Sequence, residues 1–270
     1  MNPCGAPPKE TDWLAMAREV LEIEREGLAA VSEQLGEGFV KSLNLLAQCT
    51  GRVVVTGLGK SGLVGRKLAA TFSSTGTPSL FLHPVEGAHG DMGMIQEEDV
   101  VLALSNSGET DELNVLLPSL KRLGAAIIAM TGREDSTLAS LSDAVILTSV
   151  PREACSLGLA PTASTTASLA MGDALAVCLM NWKAFDEKDF LRFHPGGTLG
   201  QRLSSCISQF MHCDNLPQVE EHTPLAQALE VLNAGGLGGV VVTGPDRKLT
   251  GILTDGDLRR LVVKQHIDLK

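Results

Sequence analysis

The sequence predicts an α/β fold: a doubly wound, five-stranded parallel sheet followed by a second, smaller α/β unit. Three observations lead there. Five short apolar runs alternate with segments of helical spacing, the pattern that builds parallel sheets through right-handed crossovers. Two of those runs pass directly into loops of glycine, serine and threonine, GLGKSG at 57–62 and SNSGET at 105–110, each of which opens a helix. The composition changes after Cys206, so that 207–270 reads as a unit of its own.

Taken in order, 1–36 reads as a tail and a helix. Pro3, Pro7 and Pro8 keep the first ten residues loose, and from Thr11 the residues Trp13, Met16, Ala17, Val20 and Ile23 keep helical spacing. The main domain is expected over 37–206, beginning with a helix at 37–48. RVVVT at 52–56 is the first strand, and the loop 57–62 turns it into a helix reaching about Ser73. The second strand covers 78–83 and is followed by the loop PVEGAHGDMG. An unbroken apolar run at 100–104 is the third strand, of the kind buried on both faces. A helix from Thr110 to near Gly124 follows, then a strand at 125–130, a short helix at 135–141 and a strand at 144–150. After the irregular PREACSLGLAP, an alanine-rich helix runs from Pro161 to about Met180. Met171, Ala174, Leu175, Cys178 and Leu179 form its stripe, and Gly172 and Ala176 allow close approach in a core or a subunit interface. A short helix at 185–193 ends in the turn HPGGTLG. The small unit reads as helix 225–233, strand 239–243, turn 244–246, strand 249–253 and the helix opened by TDGDLRRL.

A formal net charge of -10 argues against nucleic acid and anionic membranes as partners, since both require a basic face. Six cysteines without a CxxC pair suggest neither a disulfide framework nor a zinc knuckle. MNPCGAPPKE has no apolar signal core, and no uninterrupted apolar stretch approaches the length of a membrane span. The expectation is a cytoplasmic protein.

Ligands of such sheets bind at the carboxyl ends of the strands, where both donor-rich loops fall. The glycines of GLGKSG fit G-x-G-x-x-G, yet no acidic residue ends the following strand. Val54 stands where a Walker A loop needs glycine. Nucleotide readings are therefore disfavoured, and the hydroxyls of Ser61, Ser105, Ser107 and Thr110 are assigned to a phosphate. Aldose-ketose isomerisation needs a base, a proton shuttle and a cation to steady an enediolate; the candidates near strand ends are Lys60, His89, Glu112, Glu153 and His194. Each has a plainer reading. Lys60 could be a solvated charge, Glu112 a helix-dipole partner, and His194 part of a helix stop. His83 and His89 with Asp91 make a weak metal pattern.

In order, GLGKSG, HPVEGAHGDMG, SNSGETDE, EACSLGLAPTASTTASLAMGDALAV, HPGGTLG and TDGDLRR resemble the D-arabinose 5-phosphate isomerases, which join a sugar isomerase (SIS) domain to a CBS module. The resemblance runs from about Thr11 to Val263. It implies interconversion of D-ribulose 5-phosphate and D-arabinose 5-phosphate, feeding Kdo and lipopolysaccharide synthesis, with no required cofactor. It marks Lys60, Glu112, Glu153 and His194 as the catalytic set, Gly76, Thr77 and His89 at the substrate, and His83 at a site for inhibitory zinc. Glu153 is the expected carbon base, Lys60 the group that steadies the enediolate, and His194 the aid to ring opening or oxygen proton transfer. The resemblance also implies two CBS repeats, whereas 207–270 holds one. A truncated chain and half-modules pairing between subunits are the alternatives. Thr254 and Asp257 resemble the ribose-holding pair of nucleotide-binding repeats, with Thr223 in the same cleft, so a nucleotide-type effector is implied, as is a homodimer or homotetramer. The rival readings are a non-catalytic sugar-phosphate sensor and an SIS enzyme acting on another sugar phosphate.

Overall fold

The computed structural model describes residues 10–194 and 207–263. The chain divides into two compact units, Met1–Leu203 and Ser204–Lys270.

The first unit begins with helices α1 (Glu10–Glu33) and α2 (Glu37–Gln48). Five strands follow: β1 (Val53–Gly57), β2 (Ser79–Leu82), β3 (Val100–Leu104), β4 (Ala126–Thr131) and β5 (Ala144–Leu147). They form one sheet in the order β2-β1-β3-β4-β5, every pair parallel. The helices between and after them are α3 (Gly59–Ser74), α4 (Pro84–Ala88), α5 (Asp111–Asn114), α6 (Leu117–Leu123), α7 (Thr137–Ser140), α8 (Ala163–Trp182) and α9 (Glu187–Phe193).

The unbroken apolar strands are explained by two cores. Side chains alternate across a strand, so Leu102 and Leu104 of β3 join Val55, Ile128, Leu68, Phe72 and Leu175 on one face. Val101 and Ala103 join Ile127, Leu113, Leu117 and Leu120 on the other. α8 crosses the first core. At Gly172 an added Cβ would lie 2.3 Å from Leu68 side-chain atoms of α3. Lys67 and Asp173 tie the same two helices by an ion pair at the surface.

Three expectations are corrected and a fourth is qualified. The helix expected from Thr110 to Gly124 is broken into α5 and α6, because Pro118 lacks an N–H and its ring would meet the Asn114 carbonyl in a continuous helix. The loop after His83 contains α4, which Pro84 starts at its first position. In α1 the stripe shifts: Trp13, Met16 and Val20 are exposed, and Ile23 and Val31 are buried. Finally, α8 has the length and hydropathy of a membrane span, yet Ala167, Met171, Leu175 and Leu179 along it are buried in the domain core.

The second unit holds β6 (Gln218–Glu220), α10 (Leu225–Gly235), β7 (Gly239–Thr243), β8 (Leu249–Thr254) and α11 (Asp255–Val263). Its sheet order is β6-β7-β8, with β6 parallel and β8 antiparallel to β7. The three residues of β6 are too few for an alternation that sequence patterning could register.

Candidate active site

The strand order reverses between β1 and β3, so a crevice opens between the loops that follow these two strands. The first loop is tight because Gly62 lies against β1: an added Cβ there would sit 2.6 Å from the Gly57 carbonyl oxygen. That close approach sets exposed Lys60 and half-buried Ser61 in the first turn of the 16-residue α3, whose leading N–H groups have no helical acceptor.

The second loop is knitted from within. The Ser105 hydroxyl is buried, accepts the Gly108 N–H at 3.0 Å and shares a 2.8 Å hydrogen bond with the Thr110 hydroxyl. Gly108 has φ +68°, and an added Cβ would meet Ser136 Oγ at 2.1 Å. Ser105 and Thr110 thus shape the loop first. Ser107 is exposed; its Oγ accepts the Glu109 N–H at 3.2 Å, leaving its own proton to donate outward. α5 is a single turn, so its dipole adds little, and anion binding here depends on individual donors. Glu112 sits exposed in that turn.

Glu153 lies past β5 in the irregular loop before α8. Its Oε2 accepts the Thr162 N–H at 2.7 Å, the Thr162 hydroxyl at 2.9 Å and the Ser164 N–H at 3.3 Å. Burial alone would raise this carboxyl, but donation by Ser164 and Thr162 overcomes it and holds the group below the ordinary glutamate range. Among the described residues nothing donates to Oε1. Glu153 also lines a hollow of about 340 Å³ over the ends of β3, β4 and β5, together with Asn106, Ser107, Arg133 and Arg152. Sequence reasoning gave Asn106, Arg133 and Arg152 no role; their signal was position, Asn106 and Arg133 two residues past a strand end and Arg152 in the loop beyond β5.

The remaining candidates lie elsewhere in the chain. Gly76 and Thr77 precede β2, at the amino edge of the sheet opposite the crevice. α8 starts near Glu153, spans about 30 Å at about 1.5 Å per residue, and ends at that amino edge. There Lys183 Nζ donates to Thr77 Oγ1 at 2.9 Å and to the Gly76 carbonyl at 3.3 Å, and burial lowers the Lys183 pKa. Phe185 packs on Gly76 and stacks on Phe193 with ring centres 6.0 Å apart. His194 closes α9 beside them, stacked on Phe190 at 3.8 Å, with Nδ1 3.0 Å from the Phe190 carbonyl. When Nδ1 carries the proton it donates to that carbonyl, and Nε2 is free to accept.

His83 precedes α4 at the carboxyl end of β2, its Nδ1 buried without a partner among the described residues, and His89 is exposed. No group of three metal-ligating residues occurs among the described residues, so the side chains around His83 do not make a complete zinc site. In the second unit the Thr254 hydroxyl donates to Asp257 Oδ2 at 2.6 Å and the Thr254 N–H donates to it at 3.0 Å. With the Asp257 N–H returning to the Thr254 hydroxyl at 3.3 Å, the pair caps α11. The Thr254 hydroxyl and then Arg260 bring the Asp257 pKa down to about 2. Thr223 Oγ1 accepts the Glu220 N–H at 3.1 Å and lines a hollow of about 370 Å³ that neither Thr254 nor Asp257 reaches. The three residues therefore do not converge on one ribose-sized site.

The SIS domain family model matches residues 45–178 and the CBS domain model residues 207–264. Arabinose 5-phosphate isomerase KdsD of Salmonella typhi is 50% identical over 251 residues, 93% of this chain and 76% of that protein. KdsD of Pseudomonas aeruginosa PAO1 is 50% identical over 260 residues, 96% of this chain and 79% of that protein. Among solved structures, the c3406 protein of E. coli CFT073 in complex with arabinose 5-phosphate is 42% identical with a TM-score of 0.68, all of it matching 70% of this chain. At this identity and coverage, with both domain models and the five-stranded sheet in agreement, the chain belongs to the arabinose 5-phosphate isomerase family.

Proposed function

We propose that the chain interconverts D-arabinose 5-phosphate and D-ribulose 5-phosphate through an enediolate, in the cytoplasm and in supply of Kdo synthesis. The observation that carries the reading is Glu153: a carboxylate anchored through one oxygen, with the other unclaimed beside a hollow that Ser107 also lines. In the direction from aldose to ketose this oxygen takes the proton from C2 of the open-chain sugar. The electron pair moves into the C1–C2 double bond and leaves charge on O1. Proton exchange between O1 and O2, followed by return of the proton to C1, gives the ketose. Lys60 steadies the enediolate, Glu112 and His194 serve ring opening and oxygen proton transfer, and Ser61, Ser105, Ser107 and Thr110 hold or shape the phosphate site. Turnover of ribulose 5-phosphate by the purified protein is the direct test, and its absence refutes the reading.

Ser107 provides a finer test. A hydroxyl that donates to phosphate in ground and transition states alike should affect KM, so Ser107→Ala is expected to raise KM about tenfold or more with kcat little changed. An unchanged KM removes Ser107 from the phosphate site.

No metal takes part in the proposed chemistry. EDTA should leave turnover unchanged, and any inhibition by added zinc should weaken in His83→Ala; loss of activity in EDTA would contradict the first expectation, and undiminished zinc inhibition the second.

A subunit-shared site is part of the proposal. Gly76, Thr77, His89 and His194 are assigned to the substrate or the chemistry, yet Gly76, Thr77 and His194 gather at the edge opposite Lys60. A second copy in a homodimer or homotetramer supplies them. The proposal limits any effector of the second unit, a CBS domain, to regulation; Thr223, Thr254 and Asp257 do not form one nucleotide site for it. A chain ended near Cys206 should therefore stay folded and keep its turnover, because all the assigned catalytic residues precede that point. A folded but inactive truncation would show that the second unit completes the site.

A further inference from the structure

We propose that Thr162 is a positioning residue for the reaction, its hydroxyl aiming Glu153 at the substrate. The inference rests on the reading of Glu153 as the proton-carrying carboxylate. Thr162 occupies the N-cap of α8, yet its side chain does not cap its own helix as Ser136 and Asp186 cap α7 and α9. Instead its hydroxyl donates to Glu153 Oε2 at 2.9 Å and accepts the Ala154 N–H at 2.8 Å. The Thr162 and Ser164 N–H groups add bonds to the same oxygen at 2.7 Å and 3.3 Å.

The consequence is mechanical. Glu153 lies on a loop without regular structure and has three rotatable side-chain bonds, so nothing local orients it. α8 is anchored in the core by Ala167, Met171, Leu175 and Leu179, and Thr162 transmits that rigidity across the loop. It grips both the carboxylate and the peptide next to it. With Oε2 immobilised, the free Oε1 takes a defined direction, and small misplacements of a reacting group are costly.

Valine keeps the shape of threonine and lacks the hydroxyl. Thr162→Val should lower kcat by about tenfold to a hundredfold, the worth of one hydrogen bond to a charged group, with KM within about threefold. The acid limb of the kcat profile should move to higher pH, because a donor that favours the ionised form has gone. The charged groups on the neighbouring elements are Arg152 beside Glu153, Arg133 across the hollow, and on α1 Glu26, paired with Arg152, and Glu24, bonded to Thr166. The substitution alters none of them, so the limb reports the hydroxyl. Thr162→Ser should restore both kcat and the limb. Thr162→Ala serves as a second hydroxyl-free variant.

If Glu153→Gln is itself active, the reading of Glu153 falls. If Glu153→Gln is inactive while Thr162→Val keeps wild-type kcat and pH profile, only the present proposal falls. Failure of serine to rescue, or a change confined to KM, also overturns it. So does failure of both hydroxyl-free variants to fold by circular dichroism, which would make the Thr162 hydroxyl a requirement of the fold and nothing more.

Discussion

Glu153→Gln is expected to lower kcat by about 10²- to 10⁴-fold, the usual contribution of a positioned proton-transfer group, while substrate binding stays measurable. The amide is nearly isosteric, and its carbonyl oxygen can still accept from the Thr162 and Ser164 N–H groups that now bond Oε2. Only the basic lone pair is lost. Glu153→Ala should show the same catalytic loss and also destabilise the fold by about 1 kcal/mol, the usual cost of an emptied N-terminal cap. The pH dependence of stability has a definite sign. Because the folded-state pKa is lowered, the ionised cap contributes fully above the ordinary glutamate range. That contribution is lost as pH falls through the lowered folded value. The Tm values of wild type and Glu153→Gln should therefore converge in acid. Near-native kcat in the Gln variant would take the base away from Glu153.

Mixing two inactive proteins should recover activity. Lys60→Ala and His194→Ala, unfolded and refolded together, are expected to return roughly a quarter of wild-type turnover from close to none. If each site takes Lys60 from one subunit and His194 from another, random assembly leaves roughly a quarter of the sites without a lesion. The physical reason for expecting this is the run of α8. It begins near Glu153 on the carboxyl edge of the sheet and delivers Lys183, Phe185 and α9 to the amino edge, where Phe185 meets Gly76. His194 follows α9 at that amino edge, whereas Lys60 opens α3 at the carboxyl edge. No recovery in mixed oligomers confirmed by native mass spectrometry would return His194 to its own subunit.

The α/β architecture was legible in sequence because parallel strands covered on both faces are continuous apolar runs. Val100 to Leu104 and Ala126 to Met130 could hardly be anything else between glycine-bearing turns. The two loops at the strand ends were legible because close approach leaves only glycine at Gly62, and a left-handed turn calls for it at Gly108. The break at Pro118 and the helix started by Pro84 were also available from proline chemistry.

Tertiary structure alone decided three things. Glu153 is pinned by Thr162, nine residues away across a loop with no periodicity, and spacing carries no trace of a hydrogen bond of that kind. Gly76, Thr77 and His194 face away from Lys60 because a 20-residue helix carries the chain from one sheet edge to the other. Thr254 and Asp257 bond to each other in a local helix cap, and only the packing of β6, α10, β7 and β8 decides that the hollow lined by Thr223 does not include them. Residue identity set which groups could do chemistry. Where each group points was set by contacts between residues far apart in the chain.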